Sequence, residues 1–153
     1  RGRPMLLMGT GGAARAGMAA ARAGGASALW VMARNRDAAG QLQADSGLPG
    51  GVLDMNDRLP EDIGLLFNAT SLGMTGQPPL SLDLSPLPAD ALVFDAVYAP
   101  LDTGLLMDAR ARGLATIDGL AMLIGQAAEA FRLFFGAEAP RQHDSELRAL
   151  LTR

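Results

Sequence analysis

Apolar residues in this chain arrive in short bursts, separated by longer stretches in which they recur every three or four positions. Met5-Leu6-Leu7-Met8, Ala28-Leu29-Trp30-Val31-Met32, Leu65-Leu66-Phe67-Asn68 and Leu92-Val93-Phe94-Asp95 are runs of the kind found in strands buried on both faces. Between them the spacing predicts helices over Ala13–Arg22, closed by Gly24-Gly25, and over Ala38–Ala44. A short strand is expected near Val52-Leu53, after Gly50-Gly51. Beyond a Pro-rich loop and the Leu92 run, a helix is expected over Asp102–Arg112, with Gly113 as its stop. Ala115-Thr116-Ile117 reads as a last strand, Ala121–Phe135 as a long helix ended by Gly136, and Ser145–Leu151 as a final amphipathic helix. This alternation predicts an α/β fold: a mostly parallel sheet of about six strands, doubly wound in three layers with helices on both faces. The expected organisation is one domain over 1–136, then a linker and terminal helix over 137–153.

Polar and small residues gather where strands end, at Gly9, Arg34, Asn68-Ala69-Thr70, Asp95 to Tyr98 and Gly119. In doubly wound sheets these ends hold the ligand. The first of them is Gly9-Thr10-Gly11-Gly12-Ala13-Ala14-Arg15, between a strand and an Ala-rich helix, the order of a Rossmann-type dinucleotide grip. Gly9 permits the tight turn, Gly11 lets the backbone approach a pyrophosphate, and Ala14 lets the helix pack closely on the sheet. The helix N-terminus offers free N–H groups and partial positive charge. A structural glycine turn is the competing reading of this pattern taken alone. About 20 residues on, where NAD sites carry an acid for the ribose 2′-hydroxyl, stand Ala33-Arg34-Asn35-Arg36, with no acid before Asp37. Guanidiniums there suit a 2′-phosphate, hence NADP; a solvated basic turn is the plainer reading.

Composition narrows the chemistry. All 13 basic residues are Arg, so a Schiff base, a lysine acid or a Tyr-x-x-x-Lys pair is impossible within this chain. Proton transfer would have to use His143, Tyr98 or a carboxylate. His143 follows Pro140 in a charged stretch and reads as a surface residue. The absence of Cys removes disulfides, thiol nucleophiles and Cys-based zinc sites, and agrees with a cytoplasmic setting. A net charge of −3 gives no global basic field for nucleic acid, and the apolar runs are too short to cross a bilayer.

Four blocks together carry a resemblance: Gly-Thr-Gly-Gly-Ala-Ala-Arg at 9–15, Asn68-Ala69-Thr70-Ser71-Leu72-Gly73-Met74, Asp95 through Thr103, and Gly119-Leu120-Ala121-Met122-Leu123-Ile124-Gly125-Gln126. In this order they resemble the C-terminal, NADP-binding half of the shikimate dehydrogenase family, over about Met5 to Gly136. The resemblance implies a pyrophosphate loop at Gly9, Thr10, Gly11, Gly12 and Ala13. It implies a 2′-phosphate contact at Arg34, with Ala33 and Asn35 departing from the family's Asn-Arg-Thr turn. Aligning Asn35-Arg36 to that turn instead lengthens the first βα unit by two residues, so Arg34 is preferred. Asn68, Ala69 and Thr70 would pass under the cofactor. Ala96, Gly119 and Met122 would lie near the nicotinamide, and Tyr98 and Gln126 would touch shikimate.

The family reduces 3-dehydroshikimate with NADPH and handles the proton through a Lys and Asp pair on an N-terminal substrate domain. No catalytic residue is therefore expected in this chain, and alone it is expected to be inactive. Each carried-over residue also has a plainer role: a turn cap for Asn68, core packing for Met122 and Tyr98, a backbone partner for Gln126. Relatives acting on quinate or an aminated shikimate, and a non-catalytic NADP-binding module, fit the same motifs. Leu147, Leu150 and Leu151 share one side of the last helix, which predicts self-association of the isolated chain, with a homodimer as one form.

Overall fold

The computed structural model describes residues 2–152. Six strands form one sheet: β1 (Met5–Met8), β2 (Leu29–Met32), β3 (Gly50–Leu53), β4 (Leu65–Asn68), β5 (Leu92–Asp95) and β6 (Ala115–Ile117). Their order is β3-β2-β1-β4-β5-β6, and every pairing is parallel. The helices are α1 (Gly12–Gly24), α2 (Arg36–Ser46), α3 (Gly104–Ala111), α4 (Gly119–Phe135) and α5 (Asp144–Leu151), with a 3₁₀ turn at Arg141–His143.

Alternation along β1 divides the core. Leu6 and Met8 join Met32, Leu66 and Val93 on one face, under Leu105, Leu106 and Ala109 of α3 and the loops carrying Leu59, Ile63, Leu80 and Leu84. Met5 and Leu7 join Leu29, Val31 and Phe67 on the other face, under Ala14 and Ala21 of α1 and Ala39 and Leu42 of α2. Phe67 and Phe94 stack there with ring centroids 4.5 Å apart. Both faces of β1 are thus covered, which is why its sequence is apolar without interruption.

Every expected element is present, and the differences lie at their ends. β3 starts at Gly50, inside the glycine pair expected to precede it: at φ +132° a Cβ on Gly50 would lie 1.9 Å from the Leu29 carbonyl oxygen, so only glycine pairs this closely. α2 extends beyond Ala38–Ala44 at both ends, because Asn35 caps it and the chain turns only at Gly47, φ +64°. α3 is shorter than Asp102–Arg112, since Thr103 caps it by accepting the Leu106 N–H. α4 begins two residues before Ala121, capped by Asp118.

Candidate functional site

β1, β2 and β4 end level with one another, Met8 pairing with both Met32 and Asn68. The sheet's hydrogen bonding continues one residue further, from the Gly9 N–H to the Met32 carbonyl and from the Ala69 N–H to the Met8 carbonyl, both 2.9 Å. Here the strand order reverses: the chain builds outward from β1 to β3, then returns to place β4 on the other side of β1. Loops leaving β1 and β4 diverge at such a point and leave a crevice. A groove of about 870 Å³ occupies it, and Gly9, Thr10, Gly11, Ala33, Arg34, Asn35, Ala69 and Thr70 all line it.

Each part of the wall has a local cause. Gly9 sits at φ +98°, and a Cβ there would lie 3.0 Å from the Ala69 carbonyl oxygen, so glycine sets the turn between the two loops. Gly11 differs: its φ is −78°, and a Cβ would meet nothing within 4 Å. No side chain caps α1, and no acid stands in its first turn, so the first N–H groups of the helix have no side-chain partner and no competing anion. Across the groove, Asn35 accepts the Ala38 N–H at 3.0 Å, which commits its side-chain oxygen to capping α2. Arg36 is drawn off to Asp54 at 2.5 Å and does not line the groove. Arg34 is exposed on the wall and forms no ion pair among the described residues. Of the two guanidiniums, only Arg34 therefore lines the groove.

A second cluster adjoins the groove at the end of β5. The Asn68 side chain, fully buried, donates to Asp95 at 2.8 Å and accepts from the Thr70 N–H and hydroxyl at 3.0 and 2.7 Å. It lies beneath the groove rather than on its wall. Asp95 also accepts from the Val97 N–H at 3.0 Å and the Thr103 hydroxyl at 2.7 Å. Burial pushes the Asp95 carboxyl above the usual carboxylate range, and the bonds from Thr103, Val97 and Asn68 work against that shift. The Gly119 N–H donates to the Val97 carbonyl at 3.1 Å, joining the start of α4 to the exit of β5. Ala96, Tyr98 and Gly119 are thereby brought together, with Met122 about one turn and Gln126 about two turns along α4. Tyr98 is 52% exposed and Gln126 is exposed, so neither is a core residue. Met122 is half-buried against the α1 side of the core.

Sequence reasoning missed the rest of the groove wall, Met55, Ser71, Leu72, Gln77 and Pro78. Gln77 and Pro78 arrive because the loop folds back through a Gly73 N–H to Pro78 carbonyl bond of 2.8 Å, a contact no local pattern announces. It also missed Asp118, which caps α4 and takes a two-pronged bond from Arg148 of α5. An acid just before a helix was the readable signal. Arg148 holds the Asp118 carboxyl below its ordinary range. A lowered carboxylate adds stability above its unfolded pKa, about 3.9, and that stability is lost as pH falls through the folded value. The expected result is that α5 loosens only in acid below about pH 4, and that Arg148→Ala loosens it at neutral pH by about 0.5–1 kcal/mol, since the pair is partly solvent-screened. Hydrogen exchange of the α5 amides as a function of pH checks this.

A smaller apolar cleft, about 510 Å³, lies against α1 and the Phe67–Phe94 stack. Its charged lining residues, Arg3 and Asp90, are paired with each other at 2.7 Å. Among the described residues no group of His, Asp and Glu is arranged to hold a metal, and no helix is long and apolar enough to cross a membrane. His143 is exposed beside Glu146.

A family model of the shikimate 5′-dehydrogenase C-terminal domain matches residues 119–144. A shikimate dehydrogenase (NADP(+)) from Sphingopyxis alaskensis is 55% identical over 150 residues, covering 98% of this chain and 54% of that protein. Among solved structures, the shikimate 5-dehydrogenase of Thermus thermophilus in complex with NADP(H) and shikimate is 33% identical with a TM-score of 0.83, covering 98% of this chain and 56% of that one. The quinate dehydrogenase of Corynebacterium glutamicum in complex with NAD is 31% identical with a TM-score of 0.81, covering 95% and 54%. The chain spans about half the length of the curated relatives it matches. With the sheet order, the glycine loop and the four sequence blocks all in agreement, the chain belongs to the shikimate dehydrogenase family and corresponds to the C-terminal half of its members.

Proposed function

We propose that this chain is the NADP-binding half of an NADPH-dependent shikimate dehydrogenase, which interconverts 3-dehydroshikimate and shikimate. The observation that carries the proposal is the groove at the switch point, which places Gly9 to Gly11 and the unpaired Arg34 on one wall system with no acid at the ribose position. The open space at Gly11 and the uncapped start of α1 fit a pyrophosphate. Arg34 would take the 2′-phosphate by charge-assisted hydrogen bonds. When bound, NADPH supplies the hydride. Thr10, Ala69 and Thr70 shape the channel along which the cofactor lies, Ala96, Gly119 and Met122 border its nicotinamide end, and Tyr98 and Gln126 face the substrate.

The resemblance assigns the proton to a Lys and Asp pair on a substrate domain outside these residues, and the absence of Lys from this chain agrees with that. Phe134, Phe135, Leu150 and Leu151, all well exposed, support an interface with that domain or with a second copy. The near-equal likeness to a quinate dehydrogenase supports quinate as the second substrate to assay.

Calorimetric titration tests the cofactor assignment. The chain is expected to bind NADP more tightly than NAD, and Arg34→Ala to weaken NADP by about 10- to 150-fold with little change for NAD, as loss of one charge-assisted hydrogen bond of about 1.5–3 kcal/mol requires. Equal affinity for the two cofactors would overturn the assignment of Arg34.

A further inference from the structure

Two loops carry the proposed contacts, one after β4 and one after β5, and three buried side chains tie them together. Asn68, Asp95 and Thr103 are each at most 1% exposed. Asn68 holds both the backbone and the hydroxyl of Thr70, and its amide nitrogen lies 3.3 Å from the Leu72 carbonyl, so it sets the cofactor-side loop. Asp95 receives Asn68 on one oxygen and shares that oxygen with the Val97 N–H. Its other oxygen receives Thr103, which in turn caps α3. Val97 is gripped from both sides, its N–H by Asp95 and its carbonyl by the Gly119 N–H at 3.1 Å. The next residue is Tyr98, and beyond it the Ala99 carbonyl accepts from the Thr75 N–H at 2.8 Å, closing the link back to the cofactor-side loop.

From this geometry we infer that Asp95 is a positioning residue for substrate: through Val97 it fixes where Tyr98 stands relative to the loop that Asn68 and Thr70 hold against the cofactor. The inference rests on the reading of Tyr98 as a shikimate contact. Three donors and no acceptor surround the carboxylate, so each bond fixes a direction, and an amide in its place would turn an N–H against a donor. Burial raises the Asp95 carboxyl, so ionising it costs the folded state stability in the neutral range. The network's contribution is therefore geometric order more than stability, as fully satisfied buried networks provide.

The test is a double-mutant cycle in the full-length protein, using Asp95→Asn, Tyr98→Phe and the pair, with shikimate oxidation and NADP affinity measured separately. Asp95→Asn is expected to lower kcat/KM for shikimate about tenfold, mainly through KM, while the Kd for NADP changes less than about threefold. In the Tyr98→Phe background the same substitution is expected to lower kcat/KM less than about threefold, since the hydroxyl it positions is gone. An equal loss in both backgrounds, or a parallel loss of NADP affinity, would make Asp95 a general structural residue and overturn the inference. A parent protein that oxidises no shikimate would overturn the functional reading and this inference with it. If Asp95→Asn fails to fold, Thr103→Val removes one donor to Asp95 at constant shape, together with the cap on α3, and should show the same dependence on Tyr98 with about a threefold effect; independence from Tyr98 would again refute the role.

Discussion

Replacing Gly119 by alanine is expected to lower the melting temperature by roughly 10 °C or to detach the start of α4 from the sheet. A Cβ there would lie 2.2 Å from the Ala96 carbonyl oxygen and 2.5 Å from that of Val97. Both are backbone atoms leaving β5, so neither can rotate aside, and the helix must retreat. Retreat breaks the bond from the Gly119 N–H to Val97 and uncovers Leu120, a buried residue in the first turn of α4. Overpacking of this kind costs about 1–3 kcal/mol and the lost hydrogen bond about 1 kcal/mol more. At about 2–4 °C per kcal/mol for a domain of this length, the fall is roughly 10 °C. Gly125→Ala is the control, because a Cβ at Gly125 meets nothing within 4 Å and alanine is the better helix former. Thermal denaturation followed by circular dichroism should therefore separate the two; equal melting temperatures would refute the close approach of α4 to β5.

Gly11→Ala is expected to do the reverse, leaving the fold intact and removing most of the NADP affinity. The backbone of Gly11, at φ −78° and ψ −167°, is open to any residue, and its Cβ would touch no protein atom within 4 Å. Whatever excludes a methyl group there must therefore come from outside the chain. If a pyrophosphate lies against this backbone, the methyl group displaces it from the first N–H groups of α1, and losing one or two such bonds amounts to about 10- to 1000-fold in Kd. Calorimetric titration with NADP, paired with a melting curve, gives both readouts. Unchanged affinity with an unchanged melting curve would show that the glycine loop is only a turn.

Much of the fold was legible because a parallel sheet covered on both faces imposes a local rule: its strands must be apolar at every position. β1 and β2 obey it throughout, and β4 and β5 obey it up to their last residues, Asn68 and Asp95. Helix ends were less legible, because capping depends on one side chain choosing between neighbours. Asn35 could have reached a phosphate or its own helix, and it caps α2. Arg34 and Arg36 are two residues apart with the same chemistry. Only Asp54, brought up beside Arg36 by the return of the chain through β3, separates them. Asn68 was readable as a strand-end amide, but its engagement with Asp95, 27 residues away, was not.

By itself the sequence determined the alternation of strands and helices, the glycine turn and its position after a strand, the lack of any lysine, and the family the blocks resemble. These are properties of neighbouring residues and of composition, and hydrophobic burial and steric freedom of the backbone enforce them locally. Only the tertiary structure decided which arginine faces the groove, that Gly119 must lack a side chain, and that Asn68, Asp95 and Thr103 form one buried network. Those outcomes depend on which segments the sheet order sets side by side. A buried polar group takes whichever partner arrives within hydrogen-bonding distance, and sequence separation has no bearing on that.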